Sequence, residues 1–126
     1  MLLDTSAWIE FLRGTKQGKK VANVLNSENN FTSIITIAEL SNWCLKNNLE
    51  KHITNYLDQM KIHTQILEID ETIMLLAGKF NFERKKRIKN WGMIDSIILS
   101  SALKYDLNII TKDTQFSDIE NVQLLE

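Results

Sequence analysis

Four acidic residues are spaced so that their carboxylates can meet: Asp4, Glu39, Asp95 and Asp113. Asp4 and Asp113 each end a short apolar run that predicts a β-strand, and the other two lie early in stretches with helical periodicity. A doubly wound sheet binds its ligands beside the carboxyl ends of its strands. Ionised carboxylates gathered there would repel by roughly 4 kcal/mol per pair at 4 Å and an effective dielectric near 20. Divalent cations relieve such repulsion, so the set predicts a metal-dependent enzyme, with phosphodiester cleavage as the chemistry that fits best.

Each acid alone also has a plain structural explanation. Asp4 is suited to cap a helix and Asp113 to a polar turn. Glu39, near a predicted helix start, would gain roughly 0.3–1 kcal/mol from the helix dipole. Asp95 interrupts an apolar helical face, where an unpaired carboxylate is costly to bury, so a cation or a basic partner is expected. The metal-site prediction therefore depends on the four residues as a set.

The elements that must position these acids are short strands alternating with helices. Apolar, β-rich runs predict strands over 1–4, 31–36, 65–69, 108–111 and 122–125. Helical periodicity and capping residues predict helices over 7–13, 19–26, 37–46, 49–61, 71–85 and 93–105. This alternation implies βαβ crossovers and a mostly parallel sheet, so the predicted fold class is α/β.

Composition is typical of a globular chain and narrows the function only in part. With 126 residues the sequence predicts a single domain over 1–126. A net charge of −1 means that any contact with nucleic acid must use local basic patches. One cysteine excludes an internal disulfide, and the N-terminus lacks the features of a signal peptide, so we expect a cytoplasmic protein. No apolar stretch approaches the ~20 residues that span a bilayer, so no membrane role is expected.

Two basic clusters are candidates for gripping a nucleic-acid backbone. The denser one precedes the Asp95 helix and contains Arg84, Lys85, Lys86, Arg87 and Lys89. The other lies early in the chain and contains Arg13, Lys16, Lys19 and Lys20. A solvated helix end explains each cluster equally well. Trp91 is suited either to stack on an unpaired base or to the core, and Trp43 either to the core or to a groove for a partner helix.

Four segments carry a resemblance to a known family, namely 3–14 (LDTSAWIEFLRG), 36–40 (TIAEL), 93–102 (MIDSIILSSA) and 110–116 (ITKDTQF). Together they resemble the PIN-domain family, in particular VapC-type toxin ribonucleases of type II toxin–antitoxin pairs. The likeness spans nearly the whole chain, in the expected order. It implies a PIN-like three-layer α/β/α fold with a short, mostly parallel sheet flanked by helices.

The resemblance also implies a function and a set of site residues. The implied activity is metal-dependent endoribonuclease cleavage of RNA, and the family's acidic positions fall on Asp4, Glu39, Asp95 and Asp113. Small hydroxyl residues that accompany such a site fall on Thr5, Ser6 and Thr111. A fifth acid found in some members has no clear counterpart, because Gln115 is an amide and Asp118 lies further on. The implied partners are RNA, a VapB-like antitoxin and a second copy of the chain in a homodimer.

The expected cofactor is Mg²⁺ or Mn²⁺, because the sequence offers carboxylates and no Cys/His spacing typical of zinc. Asp4, Asp95 and Asp113 are the expected principal ligands, whether one ion or two bind. Glu39 is expected to ligate a second ion, to hold a metal-bound water or to act as a base. Two other functions stay open: a PIN nuclease in RNA maturation, and a catalytically inactive PIN-like binding module.

Overall fold

A computed structural model describes residues 1–27 and 29–126. Its five strands are β1 (Leu2–Leu3), β2 (Phe31–Ser33), β3 (Gln65–Leu67), β4 (Ile109–Thr111) and β5 (Val122–Leu124). Its helices are α1 (Thr5–Arg13), α2 (Lys16–Leu25), α3 (Ile34–Lys46), α4 (Ile53–His63), α5 (Glu71–Lys85) and α6 (Met93–Lys104). Single 3-10 turns cover Glu50–His52 and Thr114–Phe116.

The strands form one sheet in the order β3-β2-β1-β4-β5, and every pairing between neighbours is parallel. The chain runs from β1 outwards through β2 to β3, and then crosses over to β4 on the other side of β1. The strand order therefore reverses between β1 and β4. Doubly wound folds have their ligand crevice at such a reversal, beside the carboxyl ends of the two strands, and we call this place the β1–β4 crevice. The predicted α/β class with a mostly parallel sheet is confirmed.

Helices cover both faces of the sheet because successive side chains of a strand point to opposite faces. Leu3 and Ile110 belong to a core cluster built with α1, α2, α3 and α4. Their neighbours Leu2 and Ile109 belong to a second cluster, which packs mainly against α6. A smaller cluster joins α5 to α6. The result is the three-layer α/β/α arrangement predicted above.

Capping residues set the element ends that differ from the sequence prediction. The strand predicted over 31–36 ends at Ser33, whose side-chain Oγ accepts a hydrogen bond from the Ile35 backbone N–H at 3.3 Å and so starts α3 early. The strand predicted over 65–69 stops at Leu67, and Asp70 then caps α5 by accepting from the Ile73 N–H at 2.9 Å. The helix predicted over 49–61 begins later, at Ile53. The starts of α3 and α5 follow side-chain hydrogen bonds that satisfy free helix N–H groups, whereas α4 has no side-chain cap and begins after the 3-10 turn over Glu50–His52.

Helices α1 and α2 approach each other closely at Gly18. A Cβ built there would lie 2.2 Å from the Glu10 carbonyl oxygen, so any larger residue would push the two helices apart. Gly14, with φ of +67°, ends α1 in the left-handed region that favours glycine. No helix in the described ranges has the length and apolar character needed to cross a membrane.

Candidate active site

The end of β1 positions Asp4. Its backbone N–H donates to the Ile110 carbonyl at 3.0 Å, which extends the β1–β4 ladder by one residue. The side chain then caps α1, because Oδ1 accepts from the Thr5 backbone N–H at 2.8 Å. Asp4 is thus both the N-cap proposed as its structural explanation and a carboxylate at the β1–β4 crevice.

A set of hydroxyl groups surrounds the second Asp4 oxygen. Thr111 Oγ1 donates to Asp4 Oδ2 at 2.8 Å, and the Ser6 hydroxyl lies 3.1 Å from that of Thr111. Ser6 Oγ also accepts from the Lys112 backbone N–H at 2.9 Å, and Thr111 Oγ1 accepts from the Asp113 backbone N–H at 3.0 Å. The hydroxyls therefore link the end of β1 to the segment that follows β4.

Asp113 and Asp95 each lie near the start of a helical segment. Asp113 Oδ1 accepts from the Gln115 backbone N–H at 2.9 Å and caps the 3-10 turn after β4. Asp95 is the third residue of α6, and its Oδ2 accepts from the Gly92 N–H at 2.9 Å. The adjacent Trp91 indole donates to Ser96 Oγ at 2.7 Å, which ties the start of α6 to the core. Both carboxylates are partly buried.

Glu39 reaches the site from α3. Because α3 begins at Ile34, Glu39 lies in the second turn of the helix rather than at its start, so the dipole explanation loses its basis. Its Oε1 accepts from the Thr5 Oγ1 at 2.6 Å, while the Thr5 backbone N–H serves Asp4. Thr5 therefore connects the two acids directly.

The four carboxylates act on one another electrostatically. The pKa of Asp4 is raised, with burial as the largest cause and the charge of Asp113 as a further one. The hydrogen bonds from Thr111, Thr5 and Ser6 oppose this increase. Burial likewise raises the pKa of Glu39, with contributions from the charges of Asp4 and Asp95. Burial, together with the charges of Asp4 and Asp113, raises the pKa of Asp95 to about 6. Packing thus brings together residues that lie up to about a hundred positions apart in the sequence.

Comparison with known proteins identifies the family. The family model of the PIN domain matches residues 1–122. The chain belongs to the PIN-domain family. A chain of the toxin–antitoxin complex from Klebsiella pneumoniae is 25% identical, with a TM-score of 0.78 and coverage of 99% of this chain and 97% of that one. FitAcB from Neisseria gonorrhoeae is also 25% identical, with a TM-score of 0.71 and coverage of 99% and 96%.

VapC20 of Mycobacterium tuberculosis, a sarcin-ricin loop cleaving toxin, shares the fold at 12% identity, with a TM-score of 0.78 and coverage of 94% of each chain. None of the curated proteins matches the sequence. The resemblance to PIN domains of the VapC type, found from four sequence segments, is confirmed.

The donor set of this PIN domain suits a hard cation, although its side chains do not converge as they stand. Across residues 1–27 and 29–126, no three His, Cys, Asp or Glu side chains lie close enough together to hold a metal ion. The hydrogen bonds give the reason: Asp4, Glu39 and Asp95 each turn an oxygen towards a hydroxyl or backbone N–H of the protein. Ligation by three carboxylates therefore requires side-chain movement. Mg²⁺ and Mn²⁺ nevertheless prefer oxygen ligands such as these carboxylates and hydroxyls. A bound cation would also offset the cost that burial and neighbouring negative charges impose on ionising the acids.

Arg84 is not part of a surface patch, and this corrects the sequence prediction. Its side chain is buried, and its guanidinium donates to both Asp118 oxygens at 3.1 and 2.9 Å and to the Gln115 carbonyl at 2.9 Å. The guanidinium also lies 4.1 Å from the centre of the Trp91 ring. Trp91 itself is buried in the core, so the base-stacking interpretation of this residue is wrong. A bidentate partner and an aromatic face outweigh solvation for this arginine.

Asp118 does not serve as a fifth free acid. Arg84 and Arg87 both bind its carboxylate. These contacts hold the pKa of Asp118 well below its usual range, and the hydrogen bonds from Arg84 make the largest contribution. The ion pairs fix the segment after β4 against the end of α5. They therefore support the backbone that carries Asp113 without adding a ligand.

The other predicted basic residues are exposed at the surface: Arg13, Lys16, Lys19, Lys20, Lys85, Lys86, Arg87 and Lys89. Lys86 pairs with Glu83, and Arg87 pairs with Asp118, so both are partly neutralised. Sequence reasoning missed Asn42 and Lys46, which line a cavity beside Glu39. Their spacing of three and seven residues after Glu39 is the signal that places them on the same helical face.

Proposed function

We propose that this PIN-domain protein is a metal-dependent endoribonuclease and the toxin of a toxin–antitoxin pair. The observation that carries the proposal is that the four family acidic positions lie near enough to one another at the β1–β4 crevice to interact electrostatically: burial first, and then the charges of neighbouring acids, raise the pKa of Asp4, Glu39 and Asp95. Membership of the PIN family and the similarity to a chain of a toxin–antitoxin complex support a nuclease of toxin type.

In this proposal Asp4, Asp95 and Asp113 hold Mg²⁺ or Mn²⁺. When bound there, such an ion would stabilise charge on the phosphate and lower the pKa of a water that attacks it. Asp4 stays oriented because the Thr5 N–H and the Thr111 hydroxyl bind its two oxygens. Glu39 accepts a proton from the attacking water, and its raised pKa makes it a stronger base for this role than an ordinary glutamate.

The proposed partners follow from the same site. An RNA strand would approach along exposed basic residues at the surface: Lys85 ends α5, Lys89 follows it, and Arg13 ends α1. A VapB-like antitoxin would inhibit by covering the crevice and placing a basic side chain among the acids. A homodimer is also proposed, and light scattering of the purified protein measures it directly.

The decisive experiment is incubation of the purified protein with total RNA and Mg²⁺ or Mn²⁺, followed by mapping of the cut ends. We expect discrete cleavage that EDTA abolishes and that Asp4→Asn and Asp95→Asn remove while each variant stays folded. Asp58→Asn, which changes an exposed acid on α4, is the matched control and should cut at the parent rate. Cleavage by Asp95→Asn at the parent rate would refute the assignment. Co-expression with the product of a short upstream reading frame tests the toxin role, since a cognate antitoxin should abolish cleavage.

A further inference from the structure

A cavity of about 400 Å³ opens directly beside Glu39. We call it the α3 cavity, and its lining residues are Thr5, Ile9, Ala38, Glu39, Asn42, Trp43, Lys46 and Ile94. It is continuous with the proposed active site, because Thr5 and Glu39 belong to both and are joined by the 2.6 Å hydrogen bond described above. Its volume lies within the roughly 300–1,000 Å³ of small-ligand pockets.

One face of α3 supplies the chemistry of this cavity. Glu39, Asn42, Trp43 and Lys46 are spaced i, i+3, i+4 and i+7, so they form a single stripe on the helix. Because an α-helix rises 1.5 Å per residue, Glu39 and Lys46 lie about 10 Å apart along the helix axis. Ile9 of α1 and Ile94 of α6 form apolar walls beside it.

Trp43 differs from the other two tryptophans in its exposure. Trp8 and Trp91 are buried in the two main cores, at 0% and 1% exposure, whereas Trp43 is only half-buried and borders the cavity. Lys46 at the rim is exposed, and the ion pairs among residues 1–27 and 29–126 do not include it. The cavity thus offers an aromatic face, an amide and a cation next to the acids.

We propose that the α3 cavity is a nucleotide subsite, in which an unpaired base next to the cut phosphate stacks on Trp43 while Lys46 contacts the adjoining phosphate. The inference rests on the proposed nuclease function and adds to it the requirement for an unstacked base. Charge complementarity supports this occupant, because a neutral planar base meets indole, isoleucine and amide groups while the anionic backbone meets the lysine.

The test compares cleavage of an unmodified single-stranded RNA oligonucleotide that contains the mapped cut site with cleavage of an abasic version. The abasic version lacks the base on one side of the cut, and the two sides are tested in turn. We expect the parent protein to prefer the unmodified strand by roughly five- to 150-fold in kcat/KM, the range that corresponds to loss of stacking on one base. Trp43→Leu should lose this preference, because it keeps apolar volume but has no aromatic face, and Trp43→Phe should retain most of it.

Controls separate stacking from charge and from folding. Lys46→Gln should raise KM equally for both strands and lower the salt dependence of binding by about one phosphate contact. Phe82→Leu, which removes an aromatic ring exposed on α5, should change neither strand. Trp43→Leu that discriminates against the abasic strand as strongly as the parent would overturn the subsite and leave the cavity to a polypeptide partner.

Tryptophan fluorescence distinguishes failure of the subsite from failure of the proposed function. If the parent protein cuts no RNA, the nuclease assignment falls, and the same oligonucleotides are titrated while emission is recorded. If the unmodified strand quenches the emission, the abasic strand does not, and Trp43→Phe removes the quenching, then base binding is supported independently of cleavage. Absence of quenching by the unmodified strand would end the subsite proposal as well.

Discussion

Replacing Asp95 with asparagine should stabilise this protein when no divalent cation is present. The Asp95 carboxylate is partly buried, and the neighbouring charges of Asp4 and Asp113 oppose its ionisation. Asparagine has nearly the same shape, and its side-chain oxygen can still accept the 2.9 Å hydrogen bond from the Gly92 N–H. The substitution therefore removes the charge while keeping the helix cap.

The magnitude follows from the pKa of about 6, against an ordinary value of 3.8. Such a difference corresponds to about 3 kcal/mol in the free energy of unfolding when the group is fully ionised. Solvent screening and relaxation of the neighbouring carboxylates reduce this ceiling, so we expect a gain of about 1–3 kcal/mol at pH 7.5. Functional sites commonly lower the stability of the fold in this way, because activity requires groups that destabilise the folded state.

The sign of the pH dependence is opposite to that of a salt-bridged acid. Because the folded pKa of Asp95 lies above the unfolded value, the folded state binds the proton more tightly, and ionisation destabilises the fold. The gain from Asp95→Asn should be complete above about pH 6, should shrink as the pH falls from about 6 to about 4, and should vanish below that range.

Urea denaturation followed by circular dichroism in EDTA, at pH 7.5 and at pH 4, measures the effect. Asp118→Asn is the matched control with the opposite expectation, because Arg84 and Arg87 lower the pKa of that carboxyl and the loss of its charge should destabilise the fold at pH 7.5. A gain for Asp95→Asn that is equal at both pH values, or a loss at pH 7.5, would refute the electrostatic reasoning.

Three further outcomes follow from the structure. Arg84→Met should cost about 2–3 kcal/mol of unfolding free energy, which is less than the loss of a fully buried ion pair because Asp118 is partly exposed. Arg84→Lys should recover little of this loss, since lysine cannot bind a carboxylate in bidentate fashion. Gly18→Ala should cost about 2–3 kcal/mol in the same assay, because its Cβ would meet the Glu10 carbonyl, whereas Lys19→Ala should cost little. Mn²⁺ at about 100 times its Kd should raise the parent's stability by about 2.7 kcal/mol, and Asp95→Asn should lose most of this increase if the ion binds at the proposed site.

Local patterns were sufficient to predict most of the architecture. The helix over 71–85 has the predicted bounds, and α6 differs from its prediction by one residue at its C-terminal end. Alternation of strands and helices was enough to predict a parallel sheet, which in turn places Asp4 and Asp113 at the same sheet edge. These features succeed because caps, periodicity and crossover handedness act within a few residues or follow from general chain geometry.

Competition between local signals explains the errors in the element ends. The run 31–36 is rich in β-branched residues, yet the Ser33 cap and the periodicity of the following helix prevail at Ile34. That shift moves Glu39 into the second turn of α3, one turn away from the helix dipole's strongest region.

The sequence by itself determined which residue types are available to the site and in which order the elements occur. Only the tertiary structure decided that Arg84 is buried against Trp91 and Asp118 rather than exposed with its basic neighbours. It also decided that the Asp4 and Glu39 carboxylates share Thr5 as a hydrogen-bond partner, and that Trp43 borders a cavity beside them. The physical reason is range: propensity and capping are written in neighbouring residues, whereas burial, charge coupling and cavities arise between side chains that meet only when distant elements pack.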